Sequence, residues 1–397
     1  MADDARVSRR RFIGTVAGTA GATSLAHMAP SAWSHDDRRR GRDRGRGRHD
    51  DDRLLAKQNI GVILFAVRDA ISRDPTTTDL PSGFREVFAY LSEVGYRQIE
   101  FAGYNQHANA EGGSNPGVAN PAGYLAYARM LRRWLDQYGL RANGTHAFIP
   151  GSLTQANLDR FRLELEFASI LGMDHYGTGG DPSGSRYKAD WDLAAVRWNQ
   201  LGEIAREEFD LKLYTHNHDG VYNFLLDAGP LDANGLPTRS TGMRMLEYGF
   251  RVLDPRYVFF EMDIYWAHVA QHRFQTYTGP DGSTLTDIFD PAATVIAEER
   301  RTRKMRFPIF HAKDGRRTGD PPGVGAGYVM VPFGQGDIDF ADFFDSIRKS
   351  EQRIPFWEQD NAPGGAANPG QSLEFAEISY WGLRDLMEPE DDCEDDD

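Results

Sequence analysis

Short apolar runs in this chain repeatedly end in imidazoles or carboxylates, the side chains that ligate divalent metals and move protons. The run Leu213, Tyr214, Thr215 leads into His216, Asn217 and His218. Alternate side chains of a strand share a face, so His216 and His218 point the same way. Alone, two such imidazoles fit a hydrogen-bonded pair at a strand edge, because buried polar groups find partners. Other runs repeat the pattern, ending in Glu100, in His146, in Glu261 and Asp263, in His311 and Lys313, and in Glu358 and Asp360. Repetition is what points to a shared site.

Imidazole nitrogen with carboxylate oxygen is the ligand set of Mn²⁺, Zn²⁺, Co²⁺ or Mg²⁺, and the donor types do not choose among these ions. Asp263, His311 and Glu358 come from three consecutive runs, so their heads can meet on one ion. His216, from the run before, is the natural fourth ligand. Glu100, His146, Glu261 and His218 suit the surroundings of such a site, as partners of the ligands or as substrate contacts. Lys313 can neutralise an oxyanion or pair with Asp314. Tyr265 and Trp266 directly follow Asp263 and offer an apolar wall.

Strand patterns run over residues 60–66, 97–102, 141–149, 174–178, 212–218, 257–263, 307–311 and 354–359. Helical spacing covers 83–94, 121–137, 158–171, 193–208, 241–252 and 340–349, as with Leu158, Phe161, Leu165 and Ile170. Eight strands alternating with helices predict a single-domain (β/α)8 barrel over residues 57–386, with long loops after its strands. Active sites of such barrels lie at the C-terminal ends of the strands, where the residues named above fall. No Gly-x-Gly-x-x-Gly turn follows the first strand, which argues against a dinucleotide-binding sheet. Loops 220–239, 268–291 and 315–332 are long enough to shape a ligand site.

With 40% hydrophobic residues the chain can bury a sizeable core. Its formal charge of −14 repels phosphate backbones, so nucleic acid is not an expected partner. The sole cysteine, Cys393, rules out an intrachain disulfide and a thiolate metal cluster. Residues 1–32 carry Arg9, Arg10 and Arg11 ahead of Phe12, Ile13 and a small-residue run, the layout of a twin-arginine signal. Export to the periplasm or beyond is therefore expected. The apolar part is too short and too rich in Gly, Ala and Thr to span a membrane. The segment holds four Arg and two Asp, so its removal takes the charge from −14 to −16. Residues 33–56 are arginine-rich and 387–397 acidic; both lack the apolar side chains that folding needs and read as a linker and a tail.

Taken together, Gly61-Val62-Ile63, His216-Asn217-His218, Glu261-Met262-Asp263, His311-Ala312-Lys313-Asp314, Gly334-Gln335-Gly336-Asp337 and Trp357-Glu358-Gln359-Asp360 resemble the sugar phosphate isomerase/epimerase family. These are the xylose-isomerase-like barrels, which include endonuclease IV relatives. The resemblance implies a divalent metal held by His216, Asp263, His311 and Glu358 on strands five to eight. The family's ketose epimerases carry glutamates on both strand five and strand eight. Here strand five has His216, as in a branch resembling inosose dehydratases and related keto-sugar enzymes.

The expected chemistry is proton abstraction beside a carbonyl of a sugar or cyclitol through a metal-stabilised enediolate, giving isomerisation or epimerisation. Glu358 is the expected base, with His216 or His218 relaying the proton and Lys313 stabilising the anion. Glu100, His146, Glu261 and Trp266 are the expected substrate contacts. Loss of a β-hydroxyl or glycosidic oxygen would instead make a dehydratase or lyase acting on a keto-sugar, cyclitol or 3-keto-glycoside. The competing class is an exported carbohydrate-binding protein without turnover. Barrels of this type often form homo-oligomers, although no interface can be read from the sequence.

Overall fold

The computed structural model describes residues 54–319 and 327–386. At its centre is a closed barrel of parallel strands: β1 Gly61–Ile63, β2 Gln98–Ala102, β3 Arg141–His146, β4 His175–Thr178, β5 Lys212–His216, β6 Val258–Asp263, β7 Ile309–Ala312 and β8 Ile354–Trp357. Each strand pairs with its sequence neighbours, and β8 closes on β1. The expected (β/α)8 barrel forms. Several strands stop before the apolar pattern does. β5 ends at His216 because Asn217 turns its amide onto β6, donating to Asp263 O at 3.3 Å and accepting from Asp263 N at 3.2 Å.

The helices around the barrel owe their ends to local chemistry. Pro121–Tyr138 starts where the Asn120 side chain accepts from Gly123 N, and it closes on Gly139, left-handed at φ 65°. Gln155–Leu171 is capped likewise by Thr154 and stopped by Gly172. Besides the short Arg68–Ser72, three helices fall outside the expected pattern: Ile264–Arg273, Pro291–Thr302 and Gln371–Asp385. Ile264–Arg273 runs into residues 268–291, which the sequence pattern assigned to a loop. Its start is set by Asp263, whose Oδ1 accepts from Trp266 N at 3.0 Å. The expected long loops contain antiparallel hairpins: Ala228–Leu231 with Pro237–Arg239, Thr276–Thr278 with Thr284–Thr286, and Asp314–Arg317 with Tyr328–Val331.

Strand alternation sorts the side chains. Leu213, Met262 and Phe310 are fully buried in the apolar layer around the barrel. Burying each contributes about 1.5–3 kcal/mol. On the inner face of β5, β7 and β8, Tyr214, Ile309, Ile354 and Phe356 form a separate apolar cluster. Two residues further on, toward the C-terminal end, the same face carries His216, His311 and Glu358. An apolar floor thus underlies a polar rim.

No helix among the described residues is long and apolar enough to cross a membrane. The expected export signal, residues 33–53 of the expected linker and the acidic tail lie outside the described residues, whereas Leu55, at the end of the expected linker, is buried in the core.

Candidate metal centre

β5 to β8 bring His216, Asp263, His311 and Glu358 together, each with a ligand atom within 4.8 Å of the others. His216 Nε2 is 3.7 Å from Asp263 Oδ2, and the His216 and His311 rings lie 4.6 Å apart between centroids. Asp263 divides its labour: Oδ1 caps the following helix, which leaves Oδ2 for the site. That second oxygen is 2.9 Å from Lys313 Nζ, but the approach lacks hydrogen-bond geometry and the buried atom is otherwise unpartnered.

Beneath this group lie Glu261 and Glu100, both buried. Glu261 Oε2 meets three imidazoles: His146 Nε2 at 2.8 Å, His216 Nδ1 at 3.0 Å and His311 Nε2 at 3.3 Å. Glu100 Oε2 is 2.7 Å from His311 Nε2, and its Oε1 accepts from the Tyr214 hydroxyl. The carboxyl fits because residue 144 is glycine; a Cβ there would sit 3.2 Å from Glu100 Oε1. Assigning protons from these contacts, His216 donates from Nδ1 to Glu261 and keeps Nε2 for an ion. His311 donating from Nε2 to Glu100 frees its Nδ1 likewise. This is the carboxylate–histidine–metal arrangement that fixes a ligand's tautomer.

His146, His216, Glu261 and His311 also bring ligand atoms within 4.8 Å of one another. That deeper group needs the two nitrogens that already donate to Glu261 and Glu100. Both groups therefore cannot hold ions through neutral imidazoles at once. The upper group offers two carboxylates rather than one and adjoins the exposed His218, so it is the candidate centre.

Electrostatics favour a cation there. Glu100, Glu261, Asp263 and Glu358 are buried with one ammonium, Lys313. Lys313 Nζ lies 2.9 Å from Asp263, 2.7 Å from Glu358 and 2.9 Å from Asp360. Burial lifts the Asp263 pKa to about 6, against the pull of Lys313. Burial also opposes ionisation of Glu358, yet Lys313 and His311 outweigh it and hold that carboxyl well below its usual range. Of the deep acids, Glu100 is pushed up by burial and by the charge of Glu261. Glu261 is held down, as His311 and the bonds from its imidazoles overcome burial. Burial drives His216 well below its ordinary range, which leaves it a neutral ligand. The nitrogen and oxygen donors, the Asp263 oxygen that accepts no hydrogen bond and the excess of buried carboxylates fit a divalent ion.

His311 behaves differently. Each ring nitrogen faces a carboxylate oxygen at 2.7 Å, Nδ1 toward Glu358 and Nε2 toward Glu100. Burial disfavours charge, but Glu261, Glu358 and Glu100 prevail and hold the imidazole protonated well above its ordinary pKa. Metal uptake near neutral pH is therefore expected to expel the Nδ1 proton. Apparent affinity should rise with pH by up to about tenfold per unit until the His311 pKa is passed. Calorimetry in buffers of different ionisation enthalpy counts the proton; an affinity flat with pH would show a neutral imidazole.

The remaining expected residues divide clearly. Lys313 points into the cage rather than to Asp314, whose carboxylate accepts from the backbone of Gly315, Gly334 and Gly336. His218 is exposed at the mouth, its ring 5.1 Å from His216 and 5.6 Å from Trp266. Trp266 is half-buried beside Lys313, whose Nζ lies 5.5 Å from the indole. Glu100 and Glu261, expected as partners of the ligands or as substrate contacts, sit under the histidines and touch those rings. Their closeness to the ligands makes Glu261→Gln expected to weaken metal binding about 10–100-fold. One ion per chain should remain at saturation, measured by chelator competition; complete loss would move the ion to the deeper group.

Tyr214, Asp360 and Arg68 have parts in the site that the sequence pattern does not assign to them. Tyr214 shares the inward face of His216 two residues on, so strand periodicity contains its signal. Asp360 stands two residues past Glu358 and anchors Lys313. Arg68, which donates to the Asp360 carbonyl at 2.9 Å, comes from 292 residues away and leaves no local trace.

A closed (β/α)8 barrel with an imidazole–carboxylate cage at the C-terminal ends of β5 to β8 defines the class of fold and site. Residues 88–376 match the xylose isomerase-like TIM barrel family, and the chain belongs to that family. Its fold is similar to a sugar phosphate isomerase/epimerase from Parabacteroides distasonis ATCC 8503, with a TM-score of 0.57 at 18% identity over 83% of this chain and 96% of that one. It is also similar to the probable 3-DHS dehydratase AsbF from Bacillus anthracis, with a TM-score of 0.50 at 12% identity over 82% and 98%. The IolI protein with a binding zinc atom gives a TM-score of 0.50 at 12% identity over 83% and 98%. At these identities the likeness is one of fold. No curated protein sequence matches the chain significantly.

Proposed function

We propose that this protein is a divalent-metal-dependent sugar isomerase or epimerase that moves a proton beside a carbonyl. The observation that carries this reading is the convergence of His216, Asp263, His311 and Glu358 from four successive strands. The bound zinc of the similarly folded IolI protein, and the isomerase/epimerase from Parabacteroides distasonis, support it.

When bound, the ion would polarise the substrate carbonyl as a Lewis acid. Glu358, ionised beside Lys313 and His311, is the group to take the proton from the neighbouring carbon. The Lys313 ammonium then faces the oxygen on which negative charge develops. His218, exposed at the mouth, hands the proton back or passes it to water. Trp266 closes one side of the site against an apolar sugar face. Glu261 and Glu100 hold the His216 and His311 rings in place without touching the reacting atoms.

Two measurements test the reading together. Purified protein should contain about one divalent ion per chain, removable by chelation. The metal-loaded protein should exchange the hydrogen beside the carbonyl of at least one ketose or keto-cyclitol with deuterium from solvent. Protein that holds no stoichiometric ion and exchanges no such hydrogen would leave the non-catalytic carbohydrate-binding reading; exchange with loss of water would mark a dehydratase.

A further inference from the structure

A cavity of about 360 Å³ opens beside His218, between the loop after β4 and the turn after β5. That volume lies in the range of small-ligand sites. His218 forms one of its walls, and the ring of His218 lies 5.1 Å from that of His216, so the cavity adjoins the candidate metal centre. Its lining mixes polar and apolar groups, with Arg186, Asn223 and Arg273 set around Phe274. Arg186 spends Nε and Nη2 on the Phe224 carbonyl, and Arg273 is tied to Asp219. A guanidinium carries five N–H donors, so each keeps donors to spare. Asp181 in the lining and Asp219 behind Arg273 balance the two positive charges. The cavity suits a neutral, hydroxyl-rich group better than a phosphate.

We propose that this cavity binds a second sugar unit, so that the substrate is a glycosylated keto-sugar whose carbonyl end reaches the metal centre. The proposal rests on the function proposed above and narrows its substrate. Glycines keep the space open. A Cβ at Gly180 or at Gly220, both in the lining, would meet no atom within 4 Å, and neither residue has a positive φ. A side chain at either position on the lining therefore meets neither backbone strain nor collision at its Cβ.

Titration calorimetry of the metal-loaded, full-length protein tests the proposal. The probes are D-fructose, its glycosylated forms isomaltulose, turanose and lactulose, and fructose 6-phosphate. At least one glycosylated ketose should bind about tenfold tighter than fructose. Gly180→Trp and Gly220→Trp, each checked for folding by circular dichroism, should reduce that ratio to near one. Fructose bound as tightly as every glycosylated form overturns the proposal. So does a gain confined to fructose 6-phosphate, or a ratio that survives both substitutions. Absence of binding by every sugar to protein that holds its metal overturns the parent function along with it.

Discussion

His311→Ala is expected to abolish metal retention and to destabilise the metal-free protein at the same time. The imidazole is a candidate ligand through Nδ1, which faces Glu358, and through Nε2 it donates to the buried Glu100. Its loss leaves Glu100 and Glu261 short of a donor where water does not reach. Breaking a buried charged pair in this way costs about 3–5 kcal/mol. Urea unfolding in the presence of chelator isolates that cost. Added metal then separates the two effects. Wild-type protein should gain about 2.7 kcal/mol at a hundredfold excess of ion over Kd, whereas the variant should gain nothing. A His311→Gln control should recover part of the stability, through its amide donors, but not the ion. A variant that still takes up one ion with unchanged affinity would remove His311 from the ligand set.

Lys313→Met should have an effect of similar size through a different cause. The ammonium is fully buried among Asp263, Glu358 and Asp360. Without it the metal-free cage holds uncompensated carboxylates, at a cost of about 3–5 kcal/mol. A bound ion replaces the missing charge, so stability should return on adding metal while turnover does not. kcat should fall about 10²–10³-fold, the loss typical of removing one donor to a developing oxyanion. The pH profile carries a further sign. Lys313 is the main influence opposing burial at Glu358 and lowers its pKa. Removing it must raise that pKa, so the acid limb of kcat/KM should move to higher pH. An unchanged acid limb with unchanged kcat would mean that Glu358 is not the base, or that Lys313 does not act on it.

Much of this site is legible in the sequence. Strands such as β1, β7 and β8 stand out as short apolar runs, as expected of parallel strands buried on both faces, whereas β3 and β4 carry few apolar residues and are marked by their place in the alternation with helices. The residues terminating those runs were legible for the same reason, since an ionisable group behind a buried strand stands out against its surroundings. His216, Asp263, His311 and Glu358 needed only the barrel rule that strand ends share a rim. Helices were harder. Ile264–Arg273 was obscured because its start depends on the Asp263 carboxylate, a residue the pattern had assigned to a strand end.

The sequence by itself determined the barrel, the rim and the donor types. Only the tertiary structure decided which donors stand above and which below. Glu261 and Asp263 share one face of β6, two residues apart, and periodicity gives them equal standing. Packing separates them. Register sets Glu261 level with His216 and Asp263 level with His311, so the first sinks among imidazoles and the second meets Lys313. Such depth is a property of neighbouring strands of the closed barrel, joined by long crossovers, and no local spacing encodes it. The same holds for the cavity beside His218, which exists where two loops meet and glycines leave the space unfilled.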